Sequence, residues 1–103
     1  VSRAIILLPE AVIDAGNAFK WHDQQASGLG NDFLADLERA YQLIAETPAH
    51  YPVRFDSFRR ILVKRFPYAI YFEYDDKAVF VHCVFHCAQD PVKLMSRLLA
   101  SSG

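Results

Sequence analysis

Apolar positions follow two different periods along this chain, and the change between them divides it. The opening run "RAIILL" (3–8) is short, apolar and closed by Pro9, which predicts a buried strand. Pro9 suits the first turn of a helix, with Glu10 and Asp14 near its positive end. Ala11, Ala15, Ala18 and His22 then share one face of a helix running to about Gln25, and their small size predicts close approach of a neighbour. Trp21 and His22 are read as packing residues of this helix. "ASGLG" (26–30) breaks it, because Gly28 and Gly30 supply turn conformations. From about Leu29 to Glu46 the helical period returns. Phe33, Leu37, Ala40, Tyr41 and Ile44 form the apolar side, while Asp32, Asp36, Glu38, Arg39 and Gln42 form the polar one. Thr47-Pro48 stops the helix. Two amphipathic helices joined by a short glycine turn predict an antiparallel hairpin.

Beyond the loop "PAHYPVRFDS" the period shortens to two. "FRRILVKRF" (58–66), "YAIYFEY" (68–74) and "AVFVHCVFH" (78–86) read as strands, rich in β-branched and aromatic residues. "DDK" (75–77) reads as the turn of a hairpin. Asp90-Pro91 predicts an N-cap and first position of a last helix, with Val92, Met95, Leu98 and Leu99 apolar. The expected fold class is α+β: an N-terminal strand, a helical hairpin, a three-stranded antiparallel sheet and a short C-terminal helix. The N-terminal strand is expected to pair beside the later hairpin, giving a three- to four-stranded sheet.

Composition narrows the classes. The 103 residues suffice for one domain, 1–103, with one core, and 52% apolar against 22% charged residues suits a globule rather than a disordered chain. No apolar run approaches the roughly 18 residues of a membrane helix, and "AIILL" lacks the layout of a signal peptide. A cytoplasmic location is the default expectation. The chain begins on Val1, so loss of a short leader or tag is expected. A formal net charge of −1 provides no general attraction to nucleic acid, and no direct sequence-specific nucleic-acid binding is expected.

"VHCVFHCAQDP" (81–91) holds the residues that most invite a metal reading: His82, Cys83, His86 and Cys87. On a helix His82 and His86 would share a face. On a strand, residues four apart lie about 13 Å from one another, too far for one zinc ion with ligands at about 2 Å. A disulfide between Cys83 and Cys87 fails on the same geometry. Val79, Val81, Cys83 and Phe85 are read as one apolar face, with Cys83 a small core residue. No metal and no cofactor are expected.

"RRILVKRFPYAIYFEYDDKAVFVHCVFHCAQDP" resembles the C-terminal half of the ParE/RelE toxin superfamily of bacterial type II toxin–antitoxin systems, and its ParE-like branch most closely. An Arg-rich strand runs into "RFPYAIYF"; a hairpin follows, then a strand ending in His ahead of Asp-Pro. "PEAVIDAG" and "GLGNDFLADLERAYQLIAETPAHYP" are similar to the family's paired helices and the proline-containing loop after them, so the likeness spans nearly the whole chain. In one place the chain departs from the pattern. ParE-like sequences carry an arginine in H-x-x-R-x-P, where this chain has neutral Gln89.

The resemblance implies a toxin of the plasmid-stabilisation type, neutralised by a cognate antitoxin: a small acidic protein with a DNA-binding N-terminal part. ParE-like members are described as poisoning DNA gyrase through protein contacts, with no catalytic set. RelE-like members are ribosome-dependent mRNA interferases, and under that alternative Arg59, Lys64, Arg65 and His86 would be catalytic. Phosphodiester cleavage needs cations around the phosphate and groups to move protons. Here Gln89 is neutral and no tyrosine follows residue 86, which agrees better with the ParE-like branch. A non-toxic member that only binds antitoxin is the third reading. Candidate partner-binding residues are Arg59, Arg60, Lys64 and Arg65 on the basic strand, with Met95 and Leu98 on the last helix. Against these stand a solvated or salt-bridged strand face, a structural His86, and a last helix that simply closes the core. The aromatics Tyr68, Tyr71, Phe72 and Tyr74 are read as core and cross-strand pairs.

Overall fold

The computed structural model describes residues 2–102. Strand β1 (Ala4–Leu7) leads directly into helix α1 (Pro9–Gln25), followed by helix α2 (Leu29–Glu46) and a short 3-10 turn at Pro48–His50. Strands β2 (Val53–Phe55), β3 (Phe58–Leu62), β4 (Tyr68–Tyr74) and β5 (Ala78–His86) follow, and helix α3 (Pro91–Ser102) ends the described chain. The strands form one sheet in the order β1-β5-β4-β3-β2, with β1 parallel to β5 and the other pairs antiparallel. The fold class is the expected α+β, with five strands in place of three or four.

The turns form for local reasons. Asp23 Oδ1 accepts from the backbone N–H groups of Gly28 and Gly30 (3.0 and 3.3 Å), so a side chain of α1 satisfies donors at the start of α2. Gly28 takes φ 88°, which a side chain resists, and a Cβ on Gly30 would lie 2.7 Å from the Phe19 ring. Between β4 and β5, Asp75 Oδ1 accepts from the N–H of Lys77 and Ala78, which hold its carboxyl below the usual range. Asp90 Oδ1 accepts from the Val92 N–H at 2.9 Å, the expected cap of α3.

Helices α1 and α2 cover one face of the sheet. Phe33, Leu37 and Ile44 of α2 meet Ile70, Phe72, Val79 and Val81, all almost wholly buried. Helix α3 lies on the other face, over a smaller cluster of Phe58, Ala69, Tyr71, Cys83, Phe85 and Leu98.

Five expectations need correction. Strand β2 forms inside the segment read as loop; Asp56, at φ 51°, and Ser57 make a tight connection to β3. Aspartate tolerates this left-handed conformation better than most residues, and "RFDSF" carries that signal. β1 is an edge strand, with Ile6 and Leu7 41% and 36% exposed, so its apolar run does not mean burial on both sides. β3 stops at Leu62, and Lys64 and Arg65 lie in the connection to β4. In β5 the register passes from Tyr71↔Cys83 to Phe72↔Val81, leaving His82 as an extra, bulged residue. That bulge shifts the alternation by one: Val79 and Val81 face the helical hairpin, while Cys83 and Phe85 face α3. Finally, Asp36 is not on a solvated face of α2; it is 2% exposed.

Candidate functional site

The basic residues that sequence places on one strand go to different tasks. Arg59, on β3, donates through Nη1 to the carbonyl oxygens of Tyr51 (2.6 Å) and Ala49 (3.4 Å), and its guanidinium lies over the Tyr74 ring. It braces the segment that precedes β2. Arg65 donates through its backbone N–H to Asp36 Oδ2 at 3.1 Å, and through Nε to both carboxylate oxygens at 3.2 Å. Arg39 also pairs with Asp36. Burial raises the Asp36 pKa, but the hydrogen bonds from Arg65 and Arg39 outweigh it and leave the carboxyl below its ordinary value. This anchor pins the β3–β4 loop to α2, and the helical period could not reveal it, because the partner is 29 residues away.

Arg60 and exposed Lys64 make no side-chain hydrogen bond or ion pair among the described residues, nor does exposed Arg54 on β2. Arg54 and Arg60 line a hollow of about 370 Å³ with Leu43, Tyr51, Ile61 and Leu62. Leu43 and Leu62 are 49% and 56% exposed, so free cations flank exposed apolar side chains there.

A larger groove, about 630 Å³, runs where β5 has no strand beside it, since β1 pairs only with Ala78–Val81. Tyr68, Val84 and Phe85 line it, with Trp21 and Val92 exposed beside them. Asp14 of α1 takes the place of a neighbouring strand by accepting from the Val84 N–H at 3.0 Å. Arg97 of α3 then grips Asp14 through both terminal nitrogens, at 2.8 and 2.9 Å, with Glu10 at 3.4 Å.

His86 ends β5, half-buried, its ring edge-on to Tyr68. Its Nδ1 accepts from the Ala88 N–H at 3.0 Å, which places the proton of the neutral ring on Nε2. His86, Arg60 and Gln89 meet in a smaller hollow of about 240 Å³. Arg59 and Arg65 do not join them there. On α3, Met95 is 38% exposed, whereas Leu98, expected at the partner surface, is wholly buried and closes the second cluster; Val92 and Leu99 are exposed beside Met95. Burial pushes the Cys83 thiol up to about 11, so it stays protonated, as a core cysteine should.

His22 packs against Phe33, Phe66 and Tyr68. Its Nε2 has no hydrogen-bond partner among the described residues. Burial, then the charge of His86, lowers its pKa.

No family model matches the sequence, and no curated protein matches it. Among solved structures, a chain of "Chromosomal ParDE TA system from P. aeruginosa" aligns with a TM-score of 0.73 at 10% identity, over 82% of this chain and 96% of that one. No helix of the described residues is long and apolar enough to cross a membrane. The chain therefore has the fold of a component of a ParDE toxin–antitoxin structure, reached from a sequence with little residue-level identity to it.

Proposed function

We propose that this chain is the toxin component of a type II toxin–antitoxin system, neutralised in the cytoplasm by an acidic antitoxin and directed at DNA gyrase by protein contacts. The likeness to a ParDE chain over 96% of that chain's length is the observation that carries this reading. The local chemistry agrees with it. A ribonuclease of this fold would gather several cations around one phosphate, with a base free to take a proton. Here Arg59 and Arg65 are spent on carbonyls and on buried Asp36, and His86 Nδ1 is occupied by a backbone N–H. Arg54 and Arg60, without an internal partner among the described residues, instead line a hollow with exposed Leu43 and Leu62, and exposed, unpartnered Lys64 follows two residues after Leu62. Such a surface suits a segment carrying both carboxylates and apolar side chains, which orders as it binds.

The test is co-purification with the product of the adjacent reading frame. A small acidic partner should bind, and Arg60→Glu with Lys64→Glu should weaken it about tenfold or more by charge reversal at the contact. Tight binding undiminished by that double substitution would remove this surface from the interface. No partner at all would count against the system class.

A further inference from the structure

On the α3 face, apart from the hollows around His86, four side chains from distant parts of the chain stand in a row. Ser101, on the last turn of α3, is hydrogen-bonded to His82 Nδ1. His82 Nε2 lies 3.1 Å from Glu73 Oε1, and the second Glu73 oxygen accepts from the Ser57 hydroxyl at 2.5 Å. His82 is the bulged residue of β5, buried and edge-on against Phe58, while Ser101 is exposed. Alternation from Val81, which faces the hairpin, puts the His82 ring on this face, and the bulge adds Cys83 beside it.

A carboxylate only accepts hydrogen bonds, so Glu73 fixes the imidazole proton on Nε2. The Nδ1 lone pair is thereby left for the Ser101 hydroxyl. Burial lowers the pKa of His82, against the opposing pull of Glu73, so the ring is neutral at pH 7. Among the described residues Glu73 is the charged group paired with the ring, while Phe58 lies edge-on to it and Ser101 bonds its other nitrogen. Nucleophile, base and orienting carboxylate thus stand in the relation that activates a hydroxyl.

We propose that Ser101 is an activated nucleophile that accepts an acyl group from a small activated ester, with His82 as its base and Glu73 as a positioning residue. Ser101 Oγ attacks the ester carbonyl carbon; the new Oγ–C bond forms as the bond to the leaving alkoxide oxygen breaks. The hydroxyl proton passes to His82 Nδ1 and from there to the leaving oxygen, and nothing is oxidised or reduced. No second side-chain donor is aimed at Ser101 among the described residues, so a single acylation is expected rather than rapid turnover. The proposal uses none of the partner-binding surface and stands whether or not the toxin reading does.

The experiment exposes the folded chain to p-nitrophenyl acetate across about pH 5 to 9, where an imidazole base changes state. Acetylation is then located by peptide mass spectrometry. Ser101 should acetylate about 10² times faster than Ser27 and Ser96, exposed serines of the same chain, and its rate should rise with the loss of one proton. Ser101→Ala, an exposed substitution, should fold and lose this product. Glu73→Gln still offers His82 an acceptor but removes the charge that raises its pKa, so the midpoint of the rate profile should move to lower pH. Acetylation of Ser101 no faster than of Ser27 and Ser96, or a midpoint unmoved in Glu73→Gln, would overturn the assignment.

Discussion

The two faces of the sheet are built on different principles. The face under α1 and α2 buries fifteen residues in one cluster among those described, against six under α3, and α3 itself contributes only Leu98 to the six. The hairpin is held by apolar area. Helix α3 is held by buried Leu98, half-buried Leu94 and a set of polar anchors: Arg97 on Asp14 and Glu10, and Ser101 on His82. Apolar burial is non-directional and tolerates drift, while each anchor depends on one geometry. The hairpin face should therefore set global stability, and the α3 face should open first.

The sharpest break of this comparison is Phe33→Ala, which empties a site at 0% exposure between His22, Phe66 and Tyr68. A loss of about 3 to 5 kcal/mol is expected in urea unfolding, with the whole fold lost together. Leu98→Ala should cost about 2 to 4 kcal/mol, and hydrogen exchange should show α3 losing protection while α2 keeps it. Equal loss of protection in both helices would erase the distinction between the faces.

Asp36→Ala tests the buried charged anchor between α2 and the β3–β4 loop on the hairpin side. It strips an acceptor from the Arg65 N–H and guanidinium and should cost about 2 to 3 kcal/mol near neutral pH. Because the folded Asp36 pKa is lowered, its contribution is present above the unfolded value of about 4 and lost as pH falls through the folded one. The variant should therefore show a flatter acid limb than the parent. A parallel pair of limbs would mean that Asp36 is not coupled to folding.

The smallest expected effect is that of the buried histidines. His22 and His82 both have lowered folded pKa values, by burial first, so the unfolded chain binds more protons. Stability should be constant above about pH 6.5 and fall below it. His22→Phe, which also removes an unpartnered buried nitrogen, should lessen that fall. Urea midpoints that do not change between neutral and mildly acidic pH would contradict the sign.

Most elements were legible because their signals are local. The 3.6 period of Phe33, Leu37, Tyr41 and Ile44, the Asp90-Pro91 start of α3 and the Asp75 turn all act within a few residues. What sequence misplaced depends on distant partners. Asp36 looked solvated because Arg65 is far along the chain, and β2 looked like loop because its pairing is with β3 and its strand is only three residues long. The His82 bulge had no local mark, and it moved Cys83 and Phe85 to the opposite face from Val79 and Val81. The same long-range folding dispersed the basic residues: Arg59 and Arg65 are held by internal partners, and Arg60 and Lys64 are not.

The most direct test of the functional account is DNA supercoiling by gyrase in the presence of the purified chain, with a ribosome-programmed mRNA assay run beside it. The account predicts that supercoiling is inhibited, that the adjacent gene's product relieves the inhibition, and that the mRNA stays intact. Unchanged supercoiling together with codon-positioned mRNA cuts, abolished by Lys64→Ala or His86→Ala, would contradict it.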